Sequence, residues 1–188
     1  MKLIDIHTHI YPDYVARKAA ASIRKFYELD TQEMDGTVGT LLERGDAAGI
    51  DRFVILPVSL QASRTRHIND FILEQVASQP RFLGFGTIHA AMEGITDEVQ
   101  YIMENNLRGI KMHPDSQVFA IDDERLFPAY EMLQGNIPVI LHMGDKRYDY
   151  SHPERLRRVL DNFPRLQVIA AHFGGYGMYE TAYECLRD

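Results

Sequence analysis

Six short apolar runs alternate with longer amphipathic segments along the chain, and this alternation constrains the fold more than any other feature. Their lengths and periodicities predict strands at 3–10, 52–58, 81–89, 107–113, 137–143 and 166–173. Helices are predicted at about 12–27, 37–48, 66–79, 95–105, 122–134 and 152–162, with another beginning near 177. Ser151-x-x-Glu154 resembles a capping box that opens the helix at 152.

Repeated strand–helix alternation predicts a parallel sheet covered by helices, which places the chain in the α/β class. Two architectures fit this order, an open doubly wound sheet and a (β/α) barrel. The chain has no Gly-x-Gly-x-x-Gly after its first strand and no phosphate-binding loop, which weakens the nucleotide-binding version of the open sheet. Residues 1–188 are expected to form a single domain.

Composition narrows the class of partner. The chain has a net charge of −7 and no block of basic residues, which argues against nucleic acid as a binding partner. The N-terminus lacks the apolar stretch and cleavage site of a signal peptide, and no apolar run approaches the ~20 residues that cross a bilayer. The single cysteine, Cys185, excludes an internal disulfide. We therefore expect a cytoplasmic protein with a small-molecule substrate and no membrane partner; a homodimer is an open alternative to the monomer.

Histidines gather at the carboxyl ends of the predicted strands. Six of the eight histidines stand there: His7, His9, His89, His113, His142 and His172. In a (β/α) barrel these ends converge on one mouth, where active sites are built. The placement therefore favours the barrel and predicts a metal site, because imidazole nitrogen is a common zinc ligand.

The individual histidines differ in how strongly they point to a metal. His7 and His9 lie two apart on the first strand and so share a face. His142 and His172 each follow an apolar run, where a polar ring needs a partner or a function. For the other two strand-end histidines, a hydrogen bond to backbone remains an open alternative.

Four motifs recur in the same order in a known family: Asp5-Ile6-His7-Thr8-His9, Gly109-Ile110-Lys111-Met112-His113-Pro114, Pro138-Val139-Ile140-Leu141-His142 and Ala171-His172-Phe173-Gly174-Gly175. With them the chain resembles the amidohydrolase superfamily. It looks most like the amidohydrolase-related branch of aminocarboxymuconate-semialdehyde and resorcylate-type decarboxylases and small metal-dependent hydrolases. The resemblance implies a TIM-type barrel. The related DNase and phosphoesterase families also begin with His-x-His, but they usually carry a metal-binding Glu on the fourth strand.

The resemblance also implies roles for single residues. His7, His9 and His142 would bind a divalent metal, with zinc as the first expectation and manganese or iron as alternatives. His172 would orient or polarise the attacking water or the substrate, and His142 and His172 form the predicted catalytic pair. Lys111 shares a strand face with His113, so an exposed or salt-bridged lysine, a substrate-binding lysine and a carbamylated lysine between two metals all stay open.

Loops after the strands are expected to select the substrate. Arg64 and Arg66 follow the second strand and offer guanidiniums to a carboxylate. Tyr148 follows the fifth strand and could frame a small ring. Lys111 and His113 complete the predicted substrate-binding set.

The long segment 11–36 carries several aromatic residues after the first strand. They are Tyr11, Tyr14, Phe26 and Tyr27. A lid, a dimer surface and ordinary packing are all compatible with this segment.

The predicted function is hydrolysis of an amide, ester or lactone carbonyl of a small carboxylated substrate by metal-activated water. Non-oxidative decarboxylation of a small aromatic acid uses the same ligands and is the alternative, and an inactive metal-binding remnant is a third. The family's last essential residue is an Asp on an eighth strand, which has no counterpart among these 188 residues. We therefore expect a barrel that is C-terminally incomplete by about 60–100 residues, given usual barrel lengths; closure by another chain and a degenerate member are alternatives.

Overall fold

Seven short strands form the frame of the fold. The computed structural model describes residues 2–30 and 35–187. The strands are β1 Ile4–Thr8, β2 Arg52–Ile55, β3 Phe82–Gly84, β4 Gly86–Thr87, β5 Ile110–Met112, β6 Val139–Leu141 and β7 Val168–Ala170. Each lies inside a predicted apolar run, so the six predicted strand positions are confirmed, with β3 and β4 sharing the third run.

Helices follow the strands as the sequence pattern predicts. They are α1 Asp13–Tyr27, α2 Val38–Ala47, α3 Thr65–Ser78, α4 Ile95–Glu104, α5 Pro114–Gln117, α6 Phe127–Leu133, α7 Pro153–Asn162 and α8 Tyr179–Leu186. Helix α5 was not predicted, because four residues are too few to show helical periodicity. The prediction for segment 11–36 falls partly on residues 31–34, which lie outside the described residues.

All strand pairs are parallel, in the orders β1-β2-β3 and β4-β5-β6-β7. Phe85 joins the two groups, since its N–H bonds the Ile55 carbonyl at 3.0 Å while the next N–H, of Gly86, bonds the Gly109 carbonyl at 2.9 Å. The strands therefore form one curved wall that starts at β1 and ends at β7. Within the described residues, no hydrogen-bonded pairing joins β1 to β7.

Alternation along the strands separates two faces of this wall. Ile110 and Met112 of β5 belong to the main core, which packs under the helices. Lys111 points to the other face, beside its register partner Ile140. Ile140 belongs to a smaller apolar cluster on that inner face, whose buried members are Val54, Leu56, Phe85, Ile140 and Ala171. The inner face thus carries one buried lysine beneath the strand ends.

Across residues 2–30 and 35–187, none of the helices combines the length and the apolar character that crossing a membrane requires.

Candidate metal centre

Five imidazoles form a row at the carboxyl ends of the strands, in the order His9, His7, His172, His142 and His113, and this set is called the histidine row below. Neighbouring ring centroids along it are 5.3, 5.3, 4.6 and 3.9 Å apart. The structure therefore brings together five of the six histidines that follow predicted strands. The sixth, His89, packs its ring 5.2 Å from that of Phe119 and accepts a hydrogen bond from the Ala91 N–H.

Two glycines allow the loops after β6 and β7 to touch, which joins the middle of the row. A Cβ added to Gly144, whose φ is +66°, would lie 2.4 Å from the Cα of Gly175. Only a residue without a side chain fits this contact. The close approach places His172 Nε2 3.0 Å from His142 Nδ1.

His9 is oriented as a metal ligand would be. Its Nδ1 lies 2.6 Å from the carbonyl oxygen of Leu56, which can only accept a hydrogen bond. The proton must therefore be on Nδ1, and the lone pair of Nε2 is free to bind an ion. Burial and the nearby charge of Lys111 lower the pKa of His9 to about 4, so the ring is neutral at pH 7.

Two buried polar atoms near His142 have no hydrogen-bond partner among the described residues: His142 Nε2 and Asp115 Oδ1. His142 Nε2 lies 3.9 Å from Asp115 Oδ2. His113, Asp115 and His142 each offer a ligand atom, and these atoms lie within 4.8 Å of one another. Unsatisfied buried polar atoms are costly unless another group binds them. The donor set of imidazoles and one carboxylate fits a divalent metal such as zinc.

Asp115 is a residue of the candidate site that was not predicted from the sequence. It lies on α5, two residues after His113, so a His-x-Asp spacing at a strand end was the available signal. The predicted helix-capping role of Ser151 was wrong. Helix α7 is capped by His152, whose side chain accepts from the Glu154 N–H. The buried Ser151 hydroxyl instead donates to Asp115 Oδ2 at 2.5 Å, because a buried carboxylate needs a donor.

The other four rings of the histidine row have lowered pKa values, as His9 does. Burial is the main cause that lowers the pKa of each ring, to about 3 for His7 and His113 and below its ordinary value for His142 and His172. The positive charge of Lys111 acts in the same direction on all four. Neutral imidazole is the form that binds metal, so the row is ready for an ion at neutral pH.

Lys111 lies on the inner face below the row. Its side chain is 1% exposed, and its Nζ has no hydrogen-bond partner among the described residues. Burial lowers the pKa of this amine to about 7. Among the described residues Lys111 is therefore neither exposed nor salt-bridged, and these two alternatives from the sequence were wrong.

Acid is expected to destabilise the metal-free protein. In the unfolded chain these histidines take up protons below pH 6.5, whereas in the folded chain His9 does so only near pH 4 and His113 near pH 3. Stability is therefore lost as pH falls below 6.5, by roughly 2 kcal/mol per buried histidine at about pH 5, and by less for the partly exposed His7. Burial raises the pKa of Asp115 to about 6, so this carboxyl group has the opposite effect and stabilises the folded state as the pH is lowered.

Urea unfolding of chelator-treated protein at about pH 7.5, 6 and 5 measures this loss. The effect of the several histidines is larger than that of the single carboxyl group, so the free energy of unfolding must decrease as the pH is lowered. A free energy that stays level across this range would contradict the burial of neutral imidazoles in the row.

Tyr148 and Phe26 line the rim of the site. Their rings stack with centroids 5.7 Å apart and planes inclined by 13°. The guanidinium of Arg147 lies over both rings, 4.8 Å from the Phe26 centroid and 5.5 Å from that of Tyr148. The predicted ring-framing residue is thus at the site, with a partner on α1.

The two arginines after β2 lie elsewhere. Arg66 Nε donates to Glu98 Oε2 at 2.8 Å, and its guanidinium covers the Tyr101 ring at 3.7 Å. Arg64 belongs to the short helix before α3 and is exposed. A separate cavity of about 570 Å³ is lined by Ala62, Ser63, Arg66, Ala91, Met92, Glu93, Gly94, Asp97 and Glu98. A substrate-binding role for Arg64 and Arg66 stays a prediction.

Comparison with known proteins agrees with this geometry. The model of the amidohydrolase family matches residues 4–187. The chain belongs to the amidohydrolase family. The family resemblance predicted from the four motifs is therefore confirmed, and membership indicates a metal-dependent enzyme of the hydrolase or decarboxylase type. Among curated proteins, none matches this amidohydrolase.

Solved structures show the fold. An uncharacterized TIM-barrel protein from Bordetella bronchiseptica matches with a TM-score of 0.78 and 22% identity, over 100% of this chain and 72% of that one. A probable 2-pyrone-4,6-dicarboxylic acid hydrolase from Acinetobacter baumannii, with citric acid bound, matches with a TM-score of 0.57 and 16% identity, over 99% of this chain and 67% of that one. The predicted TIM-type barrel is confirmed, as a partial barrel whose closure is not seen among the described strands.

Proposed function

We propose that this amidohydrolase hydrolyses an amide, ester or lactone carbonyl of a small carboxylated substrate. The proposed ligands of its divalent metal are His7, His9 and His142, with zinc as the first expectation and manganese or iron as alternatives. The observation that carries the proposal is the row of neutral imidazoles, buried at His142 and half-buried elsewhere, with the unpartnered His142 Nε2. A bound divalent metal polarises a carbonyl and lowers the pKa of water.

His172 is proposed to orient or polarise the attacking water or the substrate. It is partly buried, and its Nε2 lies 3.0 Å from His142 Nδ1, so it stands beside a proposed ligand. Burial lowers the pKa of His172, which leaves its ring neutral and able to take a proton at neutral pH. In this proposal His172 acts on the water or the substrate beside the metal ligand His142.

Lys111, His113 and Tyr148 are proposed to bind the substrate. The Lys111 amine is unpartnered on the inner face, so it can donate to a carboxylate or a carbonyl oxygen. The stacked rings of Tyr148 and Phe26 at the rim can frame a small planar group.

Hydrolysis is proposed ahead of decarboxylation. One structural neighbour is named as a probable 2-pyrone-4,6-dicarboxylic acid hydrolase, and this name supports lactones that carry carboxylates as the first substrates to test. Decarboxylation of an aromatic acid would use the same histidines, so both product types belong in the assay.

Metal content tests the proposal. Elemental mass spectrometry is expected to find about one equivalent of zinc, manganese or iron per chain, and the His7→Ala/His9→Ala variant is expected to lose it. The control is His67→Ala/His152→Ala, which also removes two histidines but leaves the histidine row intact. If wild type stays metal-free after loading, or if the control loses metal equally, the proposed metal site is wrong.

A further inference from the structure

Helix α1 ends on the histidine row and brings Tyr27 into it. The Tyr27 hydroxyl oxygen lies 2.6 Å from His113 Nε2 and 3.3 Å from His142 Nδ1. Directly after it, Glu28 adopts a left-handed conformation with φ 54°, and the chain turns out of the helix. Tyr27 is therefore the residue of α1 that contacts two members of the row by hydrogen bonding.

Arg147 fastens this end of α1 to the loop after β6. Its guanidinium donates to the carbonyl oxygen of Phe26 at 2.6 Å and to both carboxylate oxygens of Asp145. Asp145 is 1% exposed, so the anchor of this contact is buried. The position of the Tyr27 hydroxyl is thus built by the surrounding structure and does not depend on α1 alone.

Hydrogen bonding fixes the proton of His113. The Ser116 N–H donates to His113 Nδ1 at 3.3 Å, so Nδ1 is an acceptor and carries no proton. A neutral imidazole has one donor and one acceptor, which places the proton on Nε2. His113 Nε2–H therefore donates to the Tyr27 oxygen.

His142 needs the same kind of partner when it binds a metal. Its Nε2 faces Asp115 and has no hydrogen-bond partner among the described residues, whereas Nδ1 faces Tyr27 and His172. A histidine that binds metal through one nitrogen donates the other ring N–H to an acceptor. A hydroxyl oxygen has two lone pairs, so Tyr27 can accept from His142 as well as from His113.

We propose that Tyr27 is a positioning residue of the metal centre, whose hydroxyl oxygen accepts hydrogen bonds from the ring N–H groups of His113 and His142 and leaves His142 Nε2 to the metal. This inference rests on the proposed function, because it takes His142 as a ligand. Tyr27 acts through the two imidazoles and not on the substrate.

Tyr27→Phe tests the inference, because phenylalanine keeps the ring contacts with Phe26 and Tyr176 and removes only the hydroxyl. Zinc affinity, measured by competition with a chelating dye, is expected to fall about tenfold or more. The matched control is Tyr14→Phe on the same helix, whose side chain is 79% exposed and which should bind zinc as wild type does. Equal thermal midpoints of the three proteins would show that folding is unchanged.

Nitrogen NMR of the histidine rings supplies a readout that does not depend on activity. The metal-free wild type is expected to show His113 protonated on Nε2, and the zinc-loaded wild type to show His142 protonated on Nδ1, with both ring N–H signals shifted or lost in Tyr27→Phe. Unchanged zinc affinity together with unchanged ring signals would overturn the inference. If the wild type binds no zinc, the proposed function fails, and the His113 ring signal then decides separately whether Tyr27 accepts a hydrogen bond from His113 Nε2–H.

Discussion

His142→Gln is expected to remove bound metal and activity together. His142 belongs to the proposed ligand set with His7 and His9, and it also belongs to the compact group with His113 and Asp115. Its Nε2 is buried without a partner, so no other described side chain competes for that nitrogen. Loss of a direct ligand should weaken zinc binding by more than about 100-fold, the upper range for loss of a residue that only supports a ligand.

Zinc titration and turnover of a responsive substrate measure this effect. His89→Gln is the matched control, because His89 also follows a strand but packs against Phe119 outside the histidine row. Wild-type zinc affinity in His142→Gln would refute the metal centre at this position. Unaltered zinc binding with lost turnover would place His142 in catalysis alone.

A paired comparison separates two ways of completing the ligand set. If the metal lies toward β1, His9→Gln should weaken zinc binding strongly and His113→Gln only slightly. If it lies toward α5, where His113, Asp115 and His142 meet, the order should reverse. The free Nε2 of His9, whose other nitrogen faces the Leu56 carbonyl, supports the first outcome.

Lys111→Met is expected to stabilise the protein while it impairs activity. The lysine side chain is 1% exposed and its amine is unpartnered among the described residues, so folding must remove a charge from water without compensation. Methionine fills a similar volume without that cost, and the expected gain is about 1–4 kcal/mol in the free energy of unfolding near pH 7. Stability that is gained while function is lost is typical of a residue kept for its chemistry.

The sign of the pH dependence sharpens this prediction. Burial lowers the pKa of Lys111 from 10.5 to about 7 in the folded state, so between these values the unfolded chain binds the extra proton. Wild-type stability therefore rises with pH over this interval, and the advantage of Lys111→Met shrinks toward pH 10.5. Denaturant titrations at about pH 7 and pH 10 measure both values, with the exposed Lys146→Met as control. An unchanged or lower stability of Lys111→Met at pH 7 would contradict an uncompensated buried amine.

Local sequence patterns predicted most of the fold. All six predicted strand positions are present, because continuous apolar runs of this length are typical of strands in a parallel sheet. The inner strands β2, β5 and β6 are buried, whereas the edge strands β1 and β7 are partly exposed. The four-residue helix α5 escaped prediction, and with it Asp115, since a single turn leaves no periodic signal. Ser151 was assigned to a helix cap because its spacing to Glu154 is typical of one, yet its hydroxyl lies beside a buried carboxylate instead.

The sequence by itself determined that histidines stand at the ends of five of the six predicted strands, and parallel strand geometry then requires them to face one end of the fold. Only the tertiary structure decided which of them touch. The contact of Gly144 with Gly175 joins His142 to His172, and the end of α1 sets Tyr27 against His113, 86 residues away in sequence. The tertiary structure also pairs Arg66 with Glu98, away from the histidine row. Such contacts depend on the packing of loops that are distant in the chain, and no local spacing encodes them.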